Sequence, residues 1–221
     1  MTATLPAPLE LVGSAVKLTP MTASDIPGLY RALARSEVFE SGYGGGIAGL
    51  PINLDDFREF ATSYYLGGDA PSLAWTVRHG ATAGEPGFTS IVGATWMGDF
   101  DLENDSTHIG ATAYRPEAWG TIVNPETKLL TLGLAFDSGF NRVKIQADSV
   151  NARSRNAIER LGAEFEGILR RDQKRADGSW RDTAVYSILA DEWPAVKVRL
   201  EQRIATFARS AEDGGPRSNE S

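Results

Sequence analysis

The stretch NARSRNAIERLGAEFEGILRRDQKRADGSWRDTAVYSIL, residues 151–189, decides the fold. Asn151 is a favourable N-cap, Gly162 is a favourable helix stop, and apolar residues recur on one side between them. The residues beyond Gly162 predict two strands, and Asp177-Gly178 between them is a typical hairpin turn. The stretch therefore predicts one helix followed by a long β-hairpin.

The segment before this stretch predicts a helix and a strand. NPETKLLTLGLAFDSG has Asn124 as N-cap, Pro125 at the first helical position and Gly139 just past the end. RVKIQAD, residues 142–148, has the composition of a strand. The second half of the chain is thus predicted as helix, strand, helix and hairpin.

The first half predicts four strands and two helices. The strands are expected at residues 15–21, 72–79, 88–100 and 106–114. One helix begins at Ser24 or Asp25, and the other follows Asn53. This order predicts an α/β (α+β) fold, in which helices cover both faces of a mixed central sheet.

One domain is expected, from residue 11 to residue 192. Residues 1–10 are rich in Pro and Ala and are interpreted as an N-terminal tail. An amphipathic C-terminal helix, residues 193–209, is expected to pack on the domain. The polar residues 210–221 are interpreted as a disordered tail.

The composition argues against several classes of protein. The net charge of −7 disfavours nucleic acid and anionic membranes as partners, and mildly favours an amine-bearing partner. The chain has no cysteine and two histidines, so thiolate chemistry is excluded and a metal site is not expected. No apolar run has the length of a membrane span, and the first residues lack the features of a signal peptide. A cytoplasmic protein is therefore expected.

Residues 113–128, AYRPEAWGTIVNPETK, join a strand to a helix and predict an anion site. The first N–H groups of a helix have no helical acceptor, so those of Glu126, Thr127 and Lys128 are expected to be free. The charge of Lys128 adds to the attraction for an anion such as phosphate. The alternative is a helix start that binds only a capping side chain.

A second helix start, Asn151 to Ser154, follows the strand at residues 142–148. Arg153 and Arg155 bring positive charge to it. If the strands before the two helices are neighbours, this second polar helix start lies beside the first and strengthens the prediction of an anion site. The alternative is that Asn151 is only a cap and that the arginines form a solvated face.

Three motifs follow one another in the second half of the chain. Asn-x-x-Ser-x-x-Ala-Ile-x-x-Leu-Gly at 151–162 precedes Glu-Gly at 166–167 and Arg-Asp-Thr at 181–183. Together they resemble the end of a GNAT-fold N-acetyltransferase, most of all the subgroup related to the ribosomal-protein N-terminal (Rim-type) acetyltransferases. The resemblance covers residues 12–193 and implies acetyl-CoA as cosubstrate. It also implies a splayed sheet that binds CoA between its fourth and fifth strands.

The same resemblance assigns a loop to the CoA pyrophosphate. WGTIVN, residues 119–124, matches that loop, and Gly120, Thr121 and Val123 belong to it. The family has Arg or Gln, then Gly, then Gly or Ala at the positions that are occupied here by Trp119, Ile122 and Asn124. Because N–H donation by the backbone requires no particular side chain, binding is expected despite these departures.

Further CoA contacts are implied beside this loop. Backbone N–H groups around Ala111 to Ala113 are expected to bind the pantetheine arm and the reacting oxygen. Asn151 resembles the asparagine that contacts pantetheine, and Ser154 lies one turn further along. Many GNAT enzymes have a tyrosine as the acid seven residues after that asparagine, and Ile158 stands there in this chain.

His108 is the preferred catalytic base, because histidine titrates near neutral pH. Asp101 and Glu103 are its rivals. The alternative is that His108 is an ordinary strand residue and that DFDLEND, residues 99–105, is a solvated hairpin turn.

Aromatic residues are the candidates for the acceptor pocket. Tyr43 and Trp96 are preferred, and Trp75 and Trp180 are considered with them. Strand aromatics belong more often to the core, which is the alternative for each. GYGGG, residues 42–46, suggests a movable loop near the acceptor.

The sequence thus predicts an acetyl-CoA-dependent N-acetyltransferase, in which a primary amine attacks directly in a ternary complex. The acceptor is expected to be a small-molecule amine or a protein N-terminus. The alternative is a catalytically silent module that binds or senses acyl-CoA on the same fold. A dinucleotide-binding oxidoreductase is disfavoured, since no Gly-x-Gly-x-x-Gly follows a strand. A homodimer is compatible with the sequence, which does not fix the oligomeric state.

Overall fold

The computed structural model describes residues 2–68, 70–80 and 87–213. The strands in this part of the chain are Leu11–Val12 (β1), Val16–Pro20 (β2), Leu73–His79 (β3), Ser90–Asp101 (β4), Ser106–Tyr114 (β5), Arg142–Asp148 (β6), Glu164–Lys174 (β7) and Trp180–Leu189 (β8). They form one sheet in the order β1-β2-β3-β4-β5-β6-β8-β7. Neighbouring strands are antiparallel except β5 and β6, which are parallel.

Helices cover both faces of this sheet. The α-helices of the described residues are Ile26–Leu33 (α1), Ser36–Phe39 (α2), Leu54–Ala61 (α3), Val123–Asp137 (α4), Ala152–Glu159 (α5) and Trp193–Asp213 (α6). Alternate residues of each strand point to opposite faces, so the sheet has two apolar cores. One core contains residues of α4 and α6, and the other contains residues of α1, α2 and α3. The predicted fold class is confirmed.

Several local predictions are confirmed as well. Strands β5 and β6 begin and end at the predicted residues. The side chain of Asn53 accepts the N–H of Asp56 at 2.9 Å, and that of Asn151 accepts the N–H of Ser154 at 2.9 Å. Both asparagines therefore cap their helices, as their positions in the sequence predict.

Strands β5 and β6 separate soon after they meet. Their pairing is limited to Ser106–His108 opposite Arg142–Lys144. Beyond His108, strand β5 carries a β-bulge against β4, and Ala111 has a φ of +45°. A bulge bends the strand that carries it, so the sheet opens between β5 and β6. When the short β1 is left out, these are the fourth and fifth strands, as expected.

The start of α4 differs from its prediction. The helix begins at Val123, and Asn124, the predicted N-cap, lies inside its first turn. The hydroxyl of Thr121 accepts the N–H of Val123 at 3.3 Å, and the N–H of Glu126 donates to the carbonyl of Ile122 at 3.1 Å. Pro is tolerated throughout the first turn, because no N–H there has a helical acceptor, so Pro125 does not mark the first helical position.

A buried carboxylate holds this helix start against the sheet. Glu126 is 3% exposed and accepts the N–H and the hydroxyl of Ser14 at 2.7 and 2.6 Å and the N–H of Ala15 at 2.8 Å. A Cβ added to Gly13 would lie 2.5 Å from this carboxyl group, so only glycine leaves room for it. The turn between β1 and β2 therefore fixes the position of the first turn of α4.

We expect Glu126→Ala to lower the free energy of unfolding by about 3 kcal/mol, because three donors lose a buried charged acceptor. Urea unfolding monitored by circular dichroism measures this. Glu117→Ala is the matched control, since Glu117 is exposed and its one ion pair within the described residues is with Arg35. Equal midpoints for Glu126→Ala and the control would contradict the structural role of Glu126.

The segment before β1 contacts the domain. Ala3 is buried, its N–H donates to Asp105 at 2.8 Å, and the carbonyl of Leu9 accepts the indole N–H of Trp75 at 2.9 Å. The segment interpreted as a tail, as far as it is described, therefore lies on the sheet. Helix α6 extends through residues 210–213, which were expected to be disordered, and residues 214–221 lie outside the described residues.

None of the helices within residues 2–68, 70–80 and 87–213 combines the length and the apolar character needed to cross a membrane.

Candidate functional site

The opening between β5 and β6 leads into two connected cavities, each of about 330 Å³. We call the first the His108 pocket. Residues that line it include Ser41, Tyr43, Tyr64, Trp96, Asp99, His108, Asp148, Gln173 and Arg181. We call the second the α4 groove. Residues that line it include Tyr114, Trp119, Gly120, Thr121, Asn124, Lys128, Arg153, Ile158, Arg160 and Arg203. Both cavities share the bulged part of β5 and the start of α5.

His108 and Asp99 form a polar pair at the edge of the opening. The ring atom Nδ1 of His108 lies 3.1 Å from the carboxylate of Asp99, which also accepts from Lys144 at 3.2 Å. Asp99 reaches this position because β4 is bulged and Asp99 has a φ of +50°. The hydrogen bond with His108 is the largest cause that lowers the pKa of Asp99 to about 2. Asp99 is therefore ionised and can only accept, so Nδ1 of His108 carries the proton.

The other ring nitrogen of His108 has no partner within the part of the chain that the structure describes. His108 is 6% exposed, and its Nε2 is buried without a hydrogen-bond partner in the described residues. Burial lowers the pKa of His108, although Asp99 opposes the shift. A neutral imidazole with a bound Nδ1–H presents a lone pair at Nε2, which is the state that a general base requires.

The structure does not bring the other acidic candidates to His108. Asp101 is the last residue of β4, and its carboxylate accepts the backbone N–H of Asn104 at 2.9 Å and the side-chain N–H of Asn104 at 2.8 Å. Neither Asp101 nor Glu103 lines either cavity. Asp101 is therefore withdrawn as a catalytic candidate, and Asp99 replaces it. The interpretation of residues 99–105 as a solvated turn fits Asp101 and Glu103, whereas Asp99, although 57% of its side chain is exposed, pairs with His108.

Of the four aromatic candidates, only Tyr43 and Trp96 line the His108 pocket. The hydroxyl of Tyr43 is 2.8 Å from that of Tyr65, which donates to the carbonyl of Ala111 at 2.8 Å. The glycine segment that carries Tyr43 is thus connected to the bulge of β5. Trp75 is fully buried in the core, and Trp180 is 46% exposed and lines neither cavity.

The loop before α4 supplies backbone donors to the α4 groove. Gly120 has a φ of +72°, which turns the chain sharply before the helix. Within the described residues, the N–H groups of Gly120, Thr121, Ile122 and Asn124 have no hydrogen-bond acceptor. The free donors thus lie earlier than predicted, since the N–H of Glu126 is bonded and Thr127 and Lys128 lie beyond the first turn. Free N–H groups at this position are the kind of donors that an anion can use.

The side chains of Trp119 and Thr121 make contacts that hold this loop in place. The indole N–H of Trp119 donates to the carbonyl of Tyr114 at 2.9 Å, and the guanidinium of Arg153 lies 3.4 Å above its ring. The hydroxyl of Thr121 donates to the carbonyl of Ala118 at 2.7 Å. Ile122 and Val123, which were predicted to bind the cofactor, do not line the groove.

Three arginines give the α4 groove a positive wall. Arg153 and Arg160 come from the region of α5, and Arg203 comes from α6. Nη1 of Arg203 is buried without a partner in the described residues, and burial lowers the pKa of Arg153. Arg155 does not join them, because its guanidinium donates to the hydroxyl of Tyr186 at 3.0 Å. The sequence therefore identified Arg153 and missed Arg160 and Arg203, which only the packing of the two helices brings together.

Lys128 was predicted to add its charge to the helix start. In the structure its side chain is buried. It is 5% exposed, and its Nζ donates to the hydroxyl of Thr112 at 2.9 Å. Burial alone lowers its pKa to about 7. Among the described residues no carboxylate lies within ion-pairing distance of it. With this pKa, the Lys128 amine in the wall of the groove changes its protonation state near pH 7.

The start of α5 closes the opposite wall. Asn151 caps the helix, and its side-chain N–H also donates to the carbonyl of Ser41. Asn151 and Ser154 line both cavities, and Ile158 lines the groove further along. Of the predicted cofactor-binding residues, the structure gathers Ala111, Ala113, Trp119, Gly120, Thr121, Asn124, Asn151 and Ser154 around the α4 groove.

No group of three His, Asp or Glu side chains within the described ranges has the arrangement of a metal site. The site therefore combines a buried imidazole, free backbone donors, three arginines and a buried amine. Such an arrangement can hold a polyanion at one end and remove a proton at the other.

Comparison with known proteins gives one family. The profile described as "Acetyltransferase (GNAT) domain" matches residues 16–164, more than half of the chain. No match was found among curated proteins.

Solved structures agree with that profile. A GCN5-related N-acetyltransferase from Brucella melitensis is 26% identical, with a TM-score of 0.78 over 92% of this chain and 88% of that one. A protein from T. thermophilus assigned as an acetyltransferase is 30% identical, with a TM-score of 0.78 over 90% and 99%. Mycobacterium smegmatis RimJ, in complex with CoA-disulfide, is 20% identical, with a TM-score of 0.61 over 89% and 95%. At that identity the last likeness is one of fold.

Proposed function

We propose, because this chain belongs to the GNAT acetyltransferase family, that it transfers the acetyl group of acetyl-CoA to a primary amine by direct attack in a ternary complex. Membership of this family supports acetyl transfer as the general activity of this protein. The amine acceptor, the direct attack and the roles of individual residues are the proposed parts. Kinship with the Rim-type subgroup is also proposed, and the likeness to RimJ supports it only at the level of fold.

The α4 groove has the donors that CoA requires. CoA carries a diphosphate and a further phosphate, and these anions suit free backbone N–H groups and arginines. Gly120, Thr121 and Asn124 line the groove and offer the N–H groups, while Arg153, Arg160 and Arg203 offer the charges. Trp119 stands where the family has Arg or Gln, and the arginines from the region of α5 and from α6 compensate for the absence of that polar side chain. Acetyl-CoA supplies an activated acetyl thioester to this site.

The His108 pocket has the groups that the amine requires. An amine is an ammonium ion at neutral pH and must lose a proton before it attacks. Nε2 of His108 accepts this proton, and Asp99 holds the ring and stabilises the imidazolium that forms. Negative charge that develops on the acetyl oxygen is stabilised by backbone N–H groups of β5 beyond His108, where β6 no longer pairs with it.

The departing thiolate needs a proton, and Ile158 cannot give one. Among the described side chains that line the α4 groove, Lys128 is the one with a pKa near neutrality, at about 7. An acid is most effective when its pKa lies near the working pH. We therefore assign the return of a proton to the thiolate to Lys128, in the place of the missing tyrosine.

The observation that carries this proposal is the buried, unpartnered Nε2 of His108 at the opening between β5 and β6. A catalytically silent CoA-binding module has no use for a base held in one tautomer. The proposal is tested by release of free thiol from acetyl-CoA in the presence of a panel of small amines, amino acids and peptides. Saturable release that depends on one class of amine supports the enzyme. CoA binding without release for any amine would support the silent module.

A further inference from the structure

A cation on the wall of the His108 pocket lacks a counter-ion. Arg181, on β8, lines this pocket. Its guanidinium has one hydrogen bond within the described residues, from Nη1 to the side-chain oxygen of Gln173 at 3.3 Å. Its Nε is buried and has no acceptor there. A buried donor without an acceptor is uncommon in folded proteins and calls for an unseen partner.

The carboxylates that line the same pocket are already paired with other cations. Asp99 accepts from Lys144, and Asp148 accepts from Arg175 at 2.7 and 3.0 Å. Among the described residues, no carboxylate lies within ion-pairing distance of Arg181. The protein itself therefore does not neutralise this charge.

The neighbouring Arg175 shows what a structural arginine looks like at this end of the sheet. It donates twice to Asp148, and it also donates to the carbonyl of Trp180 at 2.7 Å and to the hydroxyl of Ser179 at 3.3 Å. Arg181 has none of this support. Because the two arginines differ in this way, a purely structural role for Arg181 leaves its buried Nε unexplained.

We propose that Arg181 binds a carboxylate of the acceptor, so that the substrate is a small primary amine that also carries a carboxylate. This inference rests on the proposed function, since it identifies the class of amine. The planar guanidinium donates two parallel N–H groups, which match the two oxygens of a carboxylate. Tyr43, Tyr64 and Trp96 offer apolar surface to the part of the acceptor between its two ends. A cavity of about 330 Å³ can hold an acceptor of the size of an amino acid or a very short peptide.

The test is binding of matched acid and amide pairs to the full chain saturated with CoA, which cannot donate an acetyl group. Calorimetry compares γ-aminobutyrate, 6-aminohexanoate and the dipeptides Gly-Phe and β-Ala-Phe with their carboxamides, whose amines are the same. We expect at least one acid to bind about tenfold more tightly than its amide. Arg181→Gln should remove this preference by weakening the acid alone, and Arg181→Lys should restore part of it. Arg170→Gln, a change at an arginine of β7 that lies outside the His108 pocket, should leave the preference intact.

Two results would overturn the inference. One is equal binding, or absence of binding, of acid and amide for all four pairs. The other is an Arg181→Gln protein that loses acid and amide binding equally, which indicates a structural role. Because the readout is binding and not turnover, a failure of acetyl transfer in the thiol assay is seen separately and affects the proposed function instead.

Discussion

His108→Gln is expected to lower kcat/KM for acetyl transfer by about two to three orders of magnitude, the typical contribution of a general base. The variant keeps a polar side chain of similar size but cannot take up a proton at the position of Nε2. Thiol release from acetyl-CoA, measured with the best amine, gives kcat and KM. Binding of CoA should be unchanged, since His108 lines the acceptor side and not the α4 groove.

The pH dependence of kcat/KM provides a second test of the role of His108. Because burial lowers the pKa of His108, its neutral, active form persists below the ordinary histidine pKa of about 6.5. The kcat/KM of the native chain should therefore stay constant as pH is lowered from 7 to 6.5. It should decrease only at lower pH, where His108 becomes protonated. The residual activity of His108→Gln should lack this acidic limb.

Two matched controls separate the site from its surroundings. His79→Gln changes the other histidine of the chain, which lies on β3 outside both cavities. Asp101→Asn changes the carboxylate of the exposed turn, whereas Asp99→Asn changes the partner of His108. We expect a large loss for Asp99→Asn and little for either control. A His108→Gln protein as active as His79→Gln would remove His108 from the mechanism.

Lys128→Met is expected to stabilise the protein at neutral pH by about 3 kcal/mol and to slow acetyl transfer. The pKa of Lys128 is about 7 in the folded protein, against about 10.4 in an unfolded chain. Between these values the unfolded state binds more protons, so this lysine makes the folded protein more stable as pH rises from 7 to about 10. Below pH 7 the amine is charged in both states, and the full free-energy cost of burying this charge lowers the stability of the folded protein. Methionine removes the penalty and loses only the hydrogen bond to Thr112.

Urea unfolding at pH 6, 7, 8 and 9 measures this effect. The stability gained by Lys128→Met over the native chain should be greatest at pH 6 to 7 and should shrink towards pH 9. Lys197→Met is the control, because Lys197 is exposed on α6. A gain that does not vary with pH would show that the Lys128 amine is not buried in the groove wall.

A stabilising substitution that lowers activity would also explain why the native chain keeps a buried amine. Active sites often contain groups that lower stability, because their chemistry requires an unusual environment. Full activity in Lys128→Met would instead return the thiolate proton to water.

The sequence predicts the strands beside the site well, because their pattern is local. Strand β5 lies between Asp105 and Pro116, strand β6 follows Asn141 and ends at Asp148, and both carry alternating apolar side chains, so their ends are evident. The N-caps Asn53 and Asn151 follow from capping chemistry in the same way. Such features depend on a few neighbouring residues and need no knowledge of the fold.

The start of α4 is less evident from sequence, because two capping signals compete. Asn124-Pro125 is a strong start signal, yet the hydroxyl of Thr121 captures the first N–H and the helix begins at Val123. The anchor that decides between them is Glu126, whose partners Ser14 and Ala15 are more than a hundred residues away in the chain. A contact of that separation leaves no local pattern.

The parts of the site that the sequence missed have the same origin. A β-bulge turns Asp99 towards His108, and no pattern in residues 99–105 distinguishes Asp99 from Asp101. Arg203 joins the α4 groove only because α6 packs beside α4 and α5. The burial of Lys128 likewise follows from the packing of α4 against β5. Each of these depends on tertiary packing, which overrides local expectation.

Calorimetric titration of the full chain with CoA, with competition by acetyl-CoA, tests most directly whether the opening between β5 and β6 is a cosubstrate site. We expect one saturable event that weakens as salt concentration rises, since the arginines and free N–H groups bind phosphates. No heat of binding at high CoA excess, together with no rise in melting temperature, would contradict both the proposed transferase and the silent module.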